Sequence, residues 1–163
     1  MVRTPLLVLA LTGPLAAGPA LAQAVAPVAA PLSAYAHAAA SLGLWALILV
    51  GLTILSVAVP YGARTPSGHP VRDYDDRGYR AHRAHQNALE TSAPFLAALG
   101  GAVLVGASPF WVNLFASVFV VSRLGMVAIH VGTTNQPARS AAWSVGMICV
   151  LGLALIALVG AVL

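Results

Sequence analysis

Four stretches of this chain, near residues 34–61, 80–105, 108–131 and 139–163, are each long enough to cross the hydrocarbon core of a bilayer, which takes about 20 residues of α-helix. Lipid offers no water to satisfy backbone N–H and C=O groups, so such a chain is confined to a bundle of transmembrane helices. The composition agrees, with 60% hydrophobic and only 7% charged residues, where soluble domains carry about 25% charged. The expected fold is all-α, an integral membrane four-helix bundle with no room for a second domain. All eight basic residues are arginine. They are not gathered with aromatics on a soluble face, so the net charge of +4 reflects scarce acids, and no nucleic-acid partner is expected. Cys149, the single cysteine, lies in an apolar run and has no partner for an intramolecular disulfide.

Residues 1–22 carry Arg3, an apolar run from Leu6 to Leu11 and the small-residue ending Ala20-Leu21-Ala22, the layout of a cleavable signal peptide. The alternative is an uncleaved first helix, interrupted by Gly13-Pro14 and Gly18-Pro19. Residues 23–33 are an Ala/Pro-rich linker, and residues 34–163 form the membrane domain. The loop after the first span holds Arg64, Arg72 and Arg77, whereas the turn at residues 106–109 is uncharged. By the positive-inside rule the first and third loops face the cytoplasm and the termini of the core face outward. Asp73, Asp75 and Asp76 lack the ligand spacing of a calcium loop, so no metal site is expected.

The second span breaks the apolar pattern. Arg83, Asn87, Glu90, Pro94, Ala97 and Gly101 recur at alternating steps of four and three, which puts them on one stripe of a helix. Its upper half is polar and its lower half small. A carboxylate at hydrocarbon depth is costly and marks a functional site by default, which singles out Glu90. Pro94 removes a backbone donor and leaves the Glu90 carbonyl without its usual partner, so a kink is expected there. Ala93, Ala97 and Gly101 form a small-residue packing seam. In the third span Arg123 and His130 are seven apart and share a face. Antiparallel packing brings Glu90 and Arg123 to one depth, where an ion pair would either fix the register of the bundle or serve catalysis.

Arg80, Arg83, His85, Asn87, His130, Arg139 and Ser140 all fall at cytoplasmic helix ends. They make a cationic mouth suited to an anionic, water-soluble ligand whose reactive end meets an apolar co-substrate in the bilayer. Pro137, after Asn135-Gln136, marks a helix N-terminus, whose dipole favours anions. A thiol beside Arg139 in that first turn has its anion stabilised.

The run Arg83-Ala84-His85-Gln86-Asn87-Ala88-Leu89-Glu90-Thr91, followed by Pro94-Phe95, resembles the second-helix signature of the MAPEG family, the membrane-associated proteins of eicosanoid and glutathione metabolism. Arg123 and the pair Arg139-Ser140 are similar to shorter motifs in that family's third and fourth helices, and the resemblance covers about residues 34 to 163. It implies a bacterial-type member, a homotrimer in the inner membrane, with glutathione as cofactor bound between subunits near the cytoplasmic face. Carried over, Arg83, Asn87 and Glu90 contact glutathione, helped by Arg80, Arg123 and His85, while Arg139, Ser140 and His130 form the catalytic group that stabilises the thiolate. Arg64 falls near a ligand-contacting arginine of the first helix. Gln86 and His130 depart from the pattern, standing where members carry an arginine and a tyrosine. The implied activity is a glutathione-dependent transferase or peroxidase acting on a lipophilic electrophile. The alternatives are a non-catalytic membrane protein of the same fold that binds a small anion, and a haem bundle using His37, His82, His85 or His130.

Overall fold

A computed structural model describes residues 32–162. The expected signal peptide at 1–22 and nearly all of the linker lie outside the described residues. Four helices follow in order: α1 Ala36–Ala58, α2 Arg77–Leu104, α3 Pro109–Gly132 and α4 Gln136–Val162. No strand is formed among the described residues, and a single bridge between Arg64 and Pro70 closes a turn in the loop after α1. The central helices α2 and α3 pack against each other and against both flanking helices, α1 on one side and α4 on the other.

Three of the helices, α1, α3 and α4, are long and apolar enough to cross a membrane. The fourth, α2, has 28 residues, about 42 Å of helix at 1.5 Å per residue. It falls short in hydropathy and not in length, because its first half carries Arg77, Arg80, Arg83 and Glu90.

Two helices begin earlier than their hydropathy indicates, and side-chain caps explain both. The Asp76 carboxylate accepts the Gly78 amide at 2.8 Å, so α2 starts at Arg77 and not at residue 80. The same carboxylate accepts the Gly62 amide at 2.6 Å, tying the loop to the helix start. These two amides, Gly62 foremost, hold the Asp76 carboxyl below its ordinary range. Asn135 caps α4 by accepting the Ala138 amide at 3.1 Å, and the helix starts at Gln136 with Pro137 in its first turn, where the missing N–H costs nothing. Gly78 is dictated by space: a Cβ there would stand 2.1 Å from the Pro60 carbonyl oxygen, so the chain passes where only glycine fits.

In lipid the tails are as apolar as the side chains, so the helices are held by close packing and hydrogen bonds. Phe95 of α2 stacks on Phe119 of α3 with centroids 3.9 Å apart, and Trp45 of α1 meets Phe119 edge-on at 5.2 Å. Trp45 also donates its indole N–H to the Ser92 hydroxyl at 3.0 Å. At the opposite end, Asn113 of α3 pins the start of α1. Its side chain accepts the Ala38 amide at 2.9 Å and donates to the Ala34 carbonyl at 2.8 Å. The expected small-residue seam on α2 divides: Gly101 faces Ala157 of α4 at 3.2 Å from its would-be Cβ, whereas Ala93 and Ala97 are exposed on the protomer surface.

Candidate functional site

The upper, polar end of the bundle encloses a cavity of about 310 Å³. Arg83 and Asn87 enter it from α2, Met126 and His130 from α3, and Arg139, Ser140 and Trp143 from α4, while Tyr74 closes it from the loop. Five of the nine residues singled out from the sequence therefore meet around one space. Helical spacing accounts for this: Arg83 and Asn87 are one turn apart on α2, and Arg139 and Trp143 are one turn apart on α4.

His130 is the pivot of the cavity. It is only 7% exposed, and its Nδ1 lies 3.1 Å from Arg139 Nη1. A guanidinium has donors and no acceptor, so Nδ1 accepts, and the ring is a neutral imidazole carrying its proton on Nε2. That Nε2 has no partner, which leaves one unspent donor in the wall of a site with two arginines. Tyr74 braces the pair from the loop. The Arg139 guanidinium lies over its ring at 5.4 Å, and the His130 ring meets it edge-on at 6.2 Å. The Tyr74 backbone is held in turn by Arg80, which donates to the Tyr74 and Asp75 carbonyls at 2.8 Å each.

The remaining predicted residues sit elsewhere, and two contacts correct the sequence reading. Glu90 does not pair with Arg123. It pairs with Arg83 at 3.2 Å, and the two side chains are 56% and 35% exposed. Both belong to α2, and their spacing of seven residues lets the long arginine reach down its own helix face. Arg123 is fully buried and turns to the neutral Asn87, with Nη1 3.4 Å from Asn87 Oδ1. Its Nε and Nη2 have no partner, and the guanidinium lies 5.2 Å from the Phe119 ring and 5.9 Å from that of Trp143. Gly146 makes the room, since a Cβ there would stand 2.9 Å from Arg123 Nε. Arg80 is a strut beneath the loop and does not line this cavity. His85 points to α1, 3.2 Å from the Thr53 hydroxyl. Arg64 stacks over Tyr61 at 4.8 Å, apart from the cavity lining.

The histidines considered as haem ligands are dispersed. His82 lies against Tyr61, His85 against Thr53, His130 against Arg139, and His37 at the far end beside Asn113. Among the described residues no three His, Cys, Asp or Glu side chains gather as a metal site.

The MAPEG family model matches residues 32–159, nearly the whole described chain. The chain belongs to the MAPEG family. It is an integral membrane protein with four helices among the described residues, from a family whose members commonly use glutathione. No curated protein matches the chain. Three residues of this MAPEG cavity escaped sequence reasoning. Met126 and Trp143 read as ordinary apolar helix positions, though Met126 lies three residues from Arg123 and Trp143 four from Arg139, on the same faces. Tyr74 sits in a charged loop, and nothing local in the sequence tells that the loop folds back over the bundle.

Proposed function

We propose that the protein is a membrane-bound glutathione-dependent transferase or peroxidase acting on lipophilic electrophiles. The observation that carries this reading is the convergence of Arg83, Asn87, His130, Arg139 and Ser140 on one cavity at the polar end of the bundle. Its donors fit an anionic peptide: two guanidiniums line the space, and His130 Nε2 and the Arg123 Nη2 behind Asn87 still lack partners. Arg83 and Asn87 hold the ligand, and Glu90 orients Arg83. Glutathione supplies a thiol whose anion is the nucleophile. Arg139, in the first turn of α4, stabilises that anion by charge and by the helix dipole, while His130 and Ser140 offer it hydrogen bonds. His130 also orients Arg139. The lipophilic partner reaches this thiol from the bilayer, on the side of the apolar lining residues Met126 and Trp143.

In this reading the cavity faces the cytoplasm of an inner membrane, because Arg64, Arg72 and Arg77 lie in the loop on its side. The assembly is a homotrimer with the site between neighbouring subunits. An ion pair that is half exposed on the protomer surface and flanked by the exposed Ala93, Pro94 and Ala97 is costly against lipid and is relieved by a second copy of α2.

Calorimetry of glutathione with detergent-purified protein tests the reading, with Arg83→Ala as control. Saturable binding that the substitution weakens by on the order of tenfold or more supports it, a loss typical of a hydrogen bond to a charged group. Arg139→Ala then raises the pKa of the bound thiol, followed by thiolate ultraviolet absorbance. A folded protein that binds no glutathione would sink the proposal. Binding without turnover of any electrophile leaves an anion-binding protein of the same fold.

A further inference from the structure

Beyond the Tyr74–His130–Arg139 wall lies a second cavity, of about 270 Å³. It sits at the turn from α3 to α4, and Arg72, Arg80, Thr134 and Gln136 line it together with that wall. It uses neither Arg83, Asn87, Ser140 nor Trp143, and the first cavity uses neither Arg72 nor Thr134.

Three features of this second space call for an anion. Three arginines, Arg72, Arg80 and Arg139, line it, and no carboxylate does. The only salt bridge among the described residues is Arg83 with Glu90, so none of these three cations is in a salt bridge, and only Arg80 is near enough to a carboxylate, that of Asp76, to act on it. One lining residue, Arg80, is more than nine-tenths buried, at 9% exposed, and keeps its Nε without a partner. The Arg80 Nη atoms are spent on the carbonyls of Tyr74, Asp75 and Val131, so this is a cation fixed in place before any ligand arrives. Third, the side chains of Thr134 and Gln136 have no hydrogen-bond partner among the described residues, which adds two neutral donors to the rim.

The geometry points to a phosphate-binding site. Guanidiniums from a loop, from α2 and from α4 approach from separate elements, and a tetrahedral group with several acceptor oxygens answers donors from several directions. A planar carboxylate with two oxygens suits a single bidentate arginine better. The position also suits a phosphate: a turn joining two membrane helices lies at headgroup level, and basic pockets between such helices take lipid headgroups. The phosphate comes either from an anionic membrane lipid or from free phosphate in solution. The site shares Tyr74, His130 and Arg139 with the first cavity, and Arg72 and Thr134, which belong to it alone, allow it to be tested apart from the glutathione reading.

The test compares the thermal unfolding midpoint of purified protein in phosphatidylcholine nanodiscs, in the same nanodiscs with added phosphatidylglycerol, and in neutral detergent titrated with inorganic phosphate. Chloride at matched ionic strength controls for screening. Ligand that binds only the folded state raises the midpoint in proportion to its saturation. A rise with phosphatidylglycerol but not with inorganic phosphate assigns the site to a headgroup, and the reverse assigns it to free phosphate. In either case Arg72→Gln weakens the apparent affinity by on the order of tenfold, the loss of one charge-assisted hydrogen bond. If Arg72→Gln already unfolds early without any anion, Thr134→Val carries the comparison. The proposal is overturned if neither phosphate source moves the midpoint beyond the chloride control, or if the informative variant responds as the wild type does.

Discussion

Replacing Gly78 by alanine puts one methyl group where the α1–α2 loop crosses the first turn of α2. The new Cβ stands 2.1 Å from the Pro60 carbonyl oxygen, 2.8 Å from its carbon and 3.0 Å from Tyr61 Cα. All three are backbone atoms, so no side chain can swing aside. Restoring ordinary contact requires the two segments to part by about 1.3 Å, judged against the usual 3.4 Å lower edge. The Gly62 amide, now 2.6 Å from Asp76, cannot follow and keep its bond. Overpacking costs about 1–3 kcal/mol and occasionally more, and a clash among backbone atoms belongs at the upper end; the exposed Gly62–Asp76 bond is lost with it. The better helix propensity of alanine returns about 1 kcal/mol. The net loss of stability is then about 2 kcal/mol, measured by denaturant or thermal unfolding in detergent. The loop also carries Tyr74, so ligand affinity at the cavity falls in parallel. Asp76→Ala breaks the same bond, which makes the double variant lose less than the two singles together. A loss below about 0.5 kcal/mol, or strict additivity with Asp76→Ala, would refute the idea that this close approach holds the loop down.

Other outcomes follow from the same contacts. Because its folded pKa is depressed, Asp76 stabilises the fold fully above the ordinary carboxyl value of 3.8 and loses that contribution as pH falls through the lower folded value. Asp76→Asn therefore flattens the acid limb of a stability–pH profile, and an unchanged limb would discount the cap. Arg83→Gln and Glu90→Gln are coupled in a double-mutant cycle because they touch, whereas Glu90→Gln and Arg123→Gln add within about 0.5 kcal/mol. The opposite pattern would restore a pair across helices. Phe95→Ala removes a fully buried ring stacked on Phe119 and costs about 3–5 kcal/mol in unfolding free energy. A loss under 1 kcal/mol would mean that the aromatic stack does not hold α1, α2 and α3 together.

Much of this architecture was legible because helix periodicity is local. The stripe on α2 joins Arg83 to Asn87, and both line one cavity; the helix-end positions of His130 and Arg139 put them at one level, where they lie 3.1 Å apart. What was not legible depends on choices between neighbours. Glu90 had two arginines within reach of its depth, and spacing alone does not say that Arg83 would reach down its own helix while Arg123 turned inward to Asn87. Gly146 shows the reason: the α4 backbone comes so close to Arg123 that the guanidinium is buried with two nitrogens unpartnered. A place at the helix end groups His85 with the cavity, yet a residue two positions from Arg83 along a helix points about 200° away, and it faces Thr53 of α1. Tyr74 and the capped start of α2 depend on a loop that folds back over the bundle, fixed by Arg80 and by a glycine with no side chain to pattern.

The polar first half of α2 also bears on how the chain enters the membrane. A charged residue near the centre of a helix adds about 2.5–3.5 kcal/mol to its apparent insertion cost, and α2 carries Glu90 in its middle and Pro94 just beyond. The other three helices qualify as spans by their own composition. Partition into the bilayer during synthesis is therefore not a property of α2 by itself. Its place in the bilayer rests on its neighbours, for Trp45 and Thr53 of α1 and Phe119 and Arg123 of α3 meet it along its length.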